Sequence, residues 1–184
     1  MPNVIEREIK IRILSPPLRL LRESLRAVAV YIGAEEQLDY YFDNEHRQLT
    51  SSDRALRLRI SNARTELTYK GPKENSLVKS RLEATTAVSD AKAIVTILES
   101  IGYRPILKVR KFRENYSYEG ATVSLDEVEG LGEFLEIEQN DINEEELLTL
   151  TNKLITVLNI KGAREKRSYA ELMASMASDG LSFE

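Results

Sequence analysis

Four charged residues alternate along the first extended stretch of the chain: Glu6, Glu8, Lys10 and Arg12 in VIEREIKIRI, residues 4–13. On a strand, successive side chains point to opposite faces, so these four share one face while Ile5, Ile9, Ile11 and Ile13 share the other. The i,i+2 pattern of charge returns with Arg57 and Arg59, Arg81 and Glu83, Lys111 and Arg113, and Glu136 and Glu138, with Lys70 on a further strand. Two arrangements are open. Either the charged faces meet water, which makes a plain sandwich with a charged skin, or they converge on an interior. In an interior, Lys and Arg set among carboxylates suit a polyphosphate: the cations neutralise it, and carboxylates are tolerated beside it where divalent cations bridge the two. Mg²⁺ takes oxygen ligands, typically one or two carboxylates plus substrate phosphates, and Glu6, Glu8, Glu136 and Glu138 offer them. The combination implies a triphosphate with a metal.

The elements that must position these residues are legible in outline. After the first strand, Ser15 with Pro16 and Pro17 resembles a helix start, and Leu18, Leu21, Leu25 and Val28 recur at helical spacing, predicting a helix to about Ile32 closed near Gly33. QLDYYFD (37–43) reads as a strand. RALRLRI (54–60) and TELTYKG (65–71) form a hairpin through Ser61 and Asn62, ended by Gly71-Pro72, and VKSRLEATTAV (78–88) is a further strand. Ser89 and Asp90 cap a second helix with an apolar stripe at Ala91, Ile94, Val95, Leu98 and Ile101, ended by Gly102. PILKVRKFREN (105–115) and YSYEGATVSLDEV (116–128) are hairpin strands with Glu119-Gly120 as the turn. Gly130 and Gly132 permit a tight turn before EFLEIEQ (133–139). A third helix fits Asn143 to Leu158, and a fourth begins near Ser168. The order β-α-β-β-β-β-α-β-β-β-α-α, with roughly eight strands, suits a mostly antiparallel sheet that removes its edges by closing.

Composition narrows the chemistry. At 184 residues and 42% hydrophobic content, the chain is expected to form one domain over residues 1–184. The absence of Cys excludes thiolate nucleophiles and Cys-ligated metals and fits a reducing, cytoplasmic setting. A single His, His46 in a polar stretch, cannot build a histidine metal site and reads as a surface residue. No apolar run approaches the ~18 residues that span a bilayer, so no membrane partner is expected. The net charge of −4, from 26 basic and 30 acidic side chains, argues against a nucleic-acid polymer and leaves room for a small anion in a local basic pocket.

The residues carrying this pattern resemble those of a known family. Glu6-Arg7-Glu8-Ile9-Lys10 is similar to the ExExK signature of the CYTH proteins, or triphosphate tunnel metalloenzymes, which include class IV adenylyl cyclases, thiamine triphosphatases and inorganic triphosphatases. The likeness extends from residue 4 to about 172 through QLDYYFD, ALRLR, LTYKGP, SRLEA, KVRKFRENY, VSLDEVEGLGEFLEIE and RSYAELM. It implies an α+β fold: an eight-stranded antiparallel closed β-barrel with charges inside and helices packed outside. It further implies Glu6 and Glu8 as metal ligands and Lys10 as a catalytic or phosphate-binding lysine. Arg57, Arg59, Lys70, Arg81, Lys111 and Arg113 become the phosphate clamp. Asp126, Glu136 and Glu138 complete sites for two ions of Mg²⁺ or Mn²⁺. Glu83 either orients Arg81 or serves as a simple salt-bridge partner. Tyr40, Tyr41 and Phe42 read as packing residues, and Lys108 and Arg110 as residues of the solvated or helix-facing side.

The expected activity is metal-dependent hydrolysis of inorganic triphosphate, with nucleoside triphosphates such as ATP as secondary substrates. The alternative is a class IV adenylyl cyclase making cyclic AMP and pyrophosphate, for which the sequence offers no identifiable adenine-reading element. Thiamine triphosphate fits less well, because the chain has no Trp. A noncatalytic polyphosphate or nucleotide sensor is the reading from another class. The resemblance also raises a homodimer, and a segment Ser168 to Met176 that closes over the tunnel, as open options.

Overall fold

The isoleucine side of the first strand is the outside of a barrel. Ile9, Ile11 and Ile13 are buried there by helices rather than by a second sheet, in one cluster with Leu21, Leu25, Leu147 and Leu154. The computed structural model describes residues 4–73, 78–140 and 142–178. Its strands are β1 (Val4–Ser15), β2 (Val30–Asp43), β3 (Ala55–Ser61), β4 (Thr65–Lys70), β5 (Lys79–Ala87), β6 (Arg104–Tyr118), β7 (Ala121–Val128), β8 (Gly132–Glu138) and β9 (Lys161–Arg164). Its helices are α1 (Leu18–Val28), α2 (Ala91–Ser100), α3 (Glu144–Val157) and α4 (Tyr169–Ser178).

All ladders are antiparallel, in the order β5-β4-β3-β2-β6-β7-β8-β1-β9, and a further pairing of β5 with β1 closes the sheet. β1 makes the closure by using both edges: Glu8 to Arg12 pair with β8, and Val4 to Glu8 pair with β5. The result is the closed eight-stranded antiparallel barrel that the resemblance implied. Closure satisfies the backbone groups that an open edge leaves exposed, and it turns the charged row of β1 inward because the isoleucines take the helix-covered side.

Three apolar clusters hold the layers. The largest joins β1, β7 and β8 to α1 and α3. A second packs α2 on β2, β3 and β4 through Phe42, Leu58 and Leu98, with Tyr40 against it. The third lies within the barrel: Val109, Val128, Leu131 and Phe134 meet Tyr169 and Leu172 of α4.

Helix starts agree with the sequence where a cap is present. Asp90 accepts a hydrogen bond from the Ala93 amide at 3.0 Å, and Asn143 forms a capping box with Glu146. The first helix departs from expectation. α1 ends at Val28, and Val30 to Gly33 belong to β2, which pairs along Tyr116 and Ser117 of β6. β-branched Val30 and Ile32 favour the strand, and the ladder with β6 outweighs a helical turn whose apolar stripe had already ended. β6 likewise runs on through Tyr118, so residues 116–118 leave the expected second hairpin strand; Glu119 and Gly120 still form the turn, at φ 48° and 85°.

β9 was not foreseen. Its four residues are exposed, and it continues the β1 edge beyond β5, pairing Ile11, Arg12 and Ile13 with Arg164, Ala163 and Gly162. Among the described residues, no helix is long and apolar enough to cross a membrane.

Candidate active site

The inward faces of the strands surround a cavity of about 430 Å³. Lys10 and Glu8 reach it from β1, Arg57 and Arg59 from β3, Lys70 from β4, Arg81 from β5, Lys111 and Arg113 from β6, and Glu136 and Glu138 from β8. The barrel therefore brings together ten of the twelve expected site residues. Glu6 sits on β1 with its backbone opposite Arg81, and its side chain lies outside the described residues. Asp126 is fully buried behind Arg113 and does not border the cavity.

Strand register sets the charge pattern. Lys10 stands opposite Glu136, Arg59 opposite Asp39, Lys70 opposite Glu83, and Arg113 opposite Asp126. Each of these cross-strand pairs is an ion pair. Lys10 Nζ is 3.1 Å from Glu136 and 3.8 Å from Glu8. Arg59 donates from Nε and Nη2 to the two oxygens of Asp39, both at 2.7 Å. Arg113 donates to both oxygens of Asp126 and to Glu136. Burial opposes the charge on Arg113, yet Asp126 and Glu136 hold its pKa well above the usual value. Glu83 pairs with Lys70, which realises the salt-bridge reading of Glu83. Arg81 is held instead by backbone carbonyls, from Nε to Gly71 at 2.7 Å and from Nη2 to Asp53 at 3.0 Å.

Two functional candidates escaped the sequence reading although both lie in stretches that carried the resemblance. Asp39 is 1% exposed and ties Arg59 to Lys111, whose Nζ stands 3.5 Å away. Tyr169, from the start of α4, donates its hydroxyl to Asp126 at 2.7 Å; its ring lies 4.2 Å from Lys10 Nζ and 5.1 Å from Lys111 Nζ, a cation–π arrangement. Burial, then the charges of Glu136 and Asp126, keep the Tyr169 phenol protonated well above its ordinary range. The only advance signal for Asp39 was its place on the same strand face as Gln37 and Tyr41. α4 thus enters the barrel, and Ser168, Tyr169, Ala170, Glu171 and Ala174 form part of the cavity wall.

The mouth is braced by a second set of charges. Asp43 accepts from the amides of Asn44, Leu49 and Thr50 and from the Thr50 hydroxyl, which fixes the loop after β2 that presents Arg47 and Arg54 to the cavity. Lys73 joins Asp53 at 3.2 Å to Glu171 of α4. Although burial raises it, hydrogen bonds from Lys73 and Ser168 bring the Glu171 carboxyl down to about 2.

Three residues read as lying away from the site do so. Lys108 and Arg110 are exposed on the opposite face of β6, and His46 is exposed beside Glu45. Tyr40 packs with α2; Phe42 does so and also borders the cavity, as does Tyr41, which packs against the cluster of Val109 and Tyr169, so these two are not packing residues alone. Arg12, the last of the opening charged row, donates to the Leu131 carbonyl at 2.7 Å and stacks over Phe134 instead of lining the cavity.

An inward-facing charged cavity in a closed eight-stranded barrel is matched at the level of family. The CYTH domain pattern covers residues 4–171. The chain belongs to the CYTH family. A curated relative from Methanocaldococcus jannaschii, "Putative adenylate cyclase MJ0240", is 34% identical over 173 residues, which is 92% of this chain and 98% of the relative. The solved PH1819 protein from Pyrococcus horikoshii is 34% identical, covers 93% of this chain and 99% of its own, and superposes with a TM-score of 0.78. The HpAC1 protein from Hippeastrum, described as having a dominant triphosphatase activity, has a TM-score of 0.76 at 23% identity, covering 93% of this chain and 96% of its own; it shares the fold.

Proposed function

We propose that this CYTH protein is a divalent-metal-dependent triphosphatase that hydrolyses inorganic triphosphate, and nucleoside triphosphates such as ATP more weakly. The observation that carries the reading is the ring of cations: Lys10, Arg57, Arg59, Lys70, Arg81, Lys111 and Arg113 come from five strands and surround one cavity. Inorganic triphosphate is charged along its whole length, so a wall with cations on several sides neutralises all of it.

The acidic side of the cavity fits a hard divalent cation in donor chemistry and in charge. Among the described residues no three acidic or histidine groups are already drawn together as a metal cluster. Glu8, Glu136 and Glu138 nonetheless crowd one region, and burial followed by the charges of Glu8 and Glu136 raises the Glu138 carboxyl above its ordinary value. Added positive charge there relieves that repulsion. Glu8, Glu136 and Glu138, with Glu6 as read from the sequence, are the residues that would hold Mg²⁺ or Mn²⁺; Asp126 acts in this reading through Arg113. When bound, such an ion supplies charge neutralisation at the phosphate oxygens and lowers the pKa of bound water.

The chain's own contribution is positioning and electrostatics, which dominate phosphoryl transfer. Lys10 and Arg113 stand where the cationic and acidic sides meet, held by Glu136, and are placed to stabilise charge that builds as a terminal phosphorus–oxygen bond breaks. Water adds to the terminal phosphorus and phosphate and pyrophosphate leave. Tyr169 and α4 limit bulk water at one side of this region.

One observation favours cyclisation as a second reading. Tyr41, Ile106, Leu107, Ala170 and Ala174 give the same cavity an apolar flank suited to a base, and the curated relative at 34% identity carries a cyclase name.

The deciding experiment is chromatographic product analysis after incubation with inorganic triphosphate and, separately, with ATP, under Mg²⁺ or Mn²⁺ and with an EDTA control. Phosphate release faster from triphosphate than from ATP, abolished by EDTA, is the expected result. Cyclic AMP and pyrophosphate from ATP would replace the reading by the cyclase one, and binding without turnover under either ion would make the protein a sensor.

A further inference from the structure

Asp39 is buried on β2, and both of its oxygens are spent on cavity cations from the strands to either side. Arg59 of β3 makes the two 2.7 Å hydrogen bonds, and Lys111 of β6 stands 3.5 Å from Oδ2. Arg59 and Lys111 line the cavity, whereas Asp39 does not. A carboxylate out of ligand reach acts through the groups it holds. We propose that Asp39 is a positioning residue: it fixes the Arg59 guanidinium and the Lys111 ammonium on the tunnel wall and thereby sets the pH range over which that wall holds a triphosphate. The second half of this statement rests on the triphosphate reading above.

The surroundings of Lys111 show why one carboxylate matters. Asp39 faces it from β2, Arg59 from β3, Arg113 from its own strand, Asp126 from β7 and the Tyr169 ring from α4; Lys10 of β1 meets the same ring. Burial comes first and repulsion from Arg59 next, and together they bring Lys111 down to about 7 against the pull of Asp39. Among the described residues Asp39 is the one carboxylate within ion-pair distance of the ammonium, so its loss leaves only the more distant Asp126 against Arg59 and Arg113 there. A triphosphate in the cavity supplies new negative charge, restores the ammonium and takes up a proton on binding at pH above 7.

The test is a titration of Lys111 in the ligand-free protein, read by the ¹³Cε shift of labelled lysines and assigned with Lys111→Met. The wild-type midpoint is expected near neutral pH, and Asp39→Asn is expected to move it acidward by about one unit or more. Asp39→Glu, which keeps the charge, should return it toward wild type, a rescue that a purely structural role for Asp39 does not predict. An unchanged midpoint in Asp39→Asn overturns the proposal. Should Asp39→Asn not fold, Asp39→Ser, which removes the same charge with a smaller side chain, carries the test in its place, and an unmoved midpoint there overturns the proposal. Inorganic triphosphate added to the wild-type protein should shift the midpoint alkaline. A midpoint that responds to Asp39→Asn but not to triphosphate faults the functional reading and leaves the positioning of Lys111 by Asp39 standing.

Discussion

Arg57 differs from its neighbours in what stands opposite it. Lys10, Arg59, Lys70 and Arg113 each face a carboxylate across the ladder, whereas Arg57 faces Thr68, to which its Nη2 donates at a long 3.4 Å. Among the described residues it has no carboxylate within ion-pair distance, and its Nε is buried without a partner. A cation kept in a cavity with most of its hydrogen-bonding capacity unspent is available to a ligand. Arg57→Ala should therefore raise the KM for triphosphate by roughly 10- to 100-fold, the size of a lost charge-assisted contact, with little change in the thermal midpoint. A comparable loss of stability with an unchanged KM would assign Arg57 to the barrel wall alone. At this scale the sequence announced the charges because strand alternation is local. It was silent on Asp39 and Tyr169, whose partners are distant in sequence: 20 residues separate Asp39 from Arg59 and 43 separate Tyr169 from Asp126.

At the scale of elements, the capped helices and the glycine turns were legible because their signals lie within a few residues. Asp90, Asn143 and the Glu119-Gly120 turn behave as their sequences dictate. The end of α1 and the whole of β9 were not, since both are decided by which strand lies alongside. KGAR carries no strand pattern, yet β1 has an edge left open beyond β5, and the segment after α3 fills it. Gly162 is required there for space: a Cβ at this position would come within 2.4 Å of the Arg12 carbonyl oxygen and 2.8 Å of Ile11 Cγ2. Gly162→Ala should lift β9 from β1 and lower stability by about 1–3 kcal/mol in a denaturant titration. Because the chain runs from β9 past Lys10, whose carbonyl accepts from the Glu165 amide at 2.9 Å and whose Nζ reaches the Arg167 carbonyl at 3.2 Å, activity should fall as well.

For the molecule as a whole, the cavity makes stability depend on pH in a stated direction. Lys111 is brought down to about 7, while an unfolded chain holds its lysine proton to ~10.4. Between those values the unfolded state binds the extra proton, so this group's contribution to stability rises with pH from about 7 toward 10. Tyr169 acts in the opposite sense above ~10, because its native pKa is raised and the unfolded phenol releases its proton first. The denaturant midpoint of the ligand-free protein should increase from pH 7 to pH 9, and the increase should be smaller in Lys111→Met. Saturation with triphosphate should flatten the trend by holding Lys111 charged. Equal slopes in the two proteins would place the pH dependence elsewhere.

The sequence by itself determined which faces of the strands are charged, where most elements begin and end, and that the polar side combines cations with carboxylates. Those properties follow from alternation, capping and turn chemistry, which act over a few residues. The tertiary structure decided which charges meet. Closure of β1 on both β5 and β8 turns the charged rows inward, and ladder register places Lys10 against Glu136 and Arg59 against Asp39. Register also left Arg57 facing a threonine and sent Arg12 to a backbone carbonyl. A one-residue slip in any ladder would exchange its inward and outward faces, so these pairings are fixed by the packing of the apolar side against the helices and not by the charges themselves.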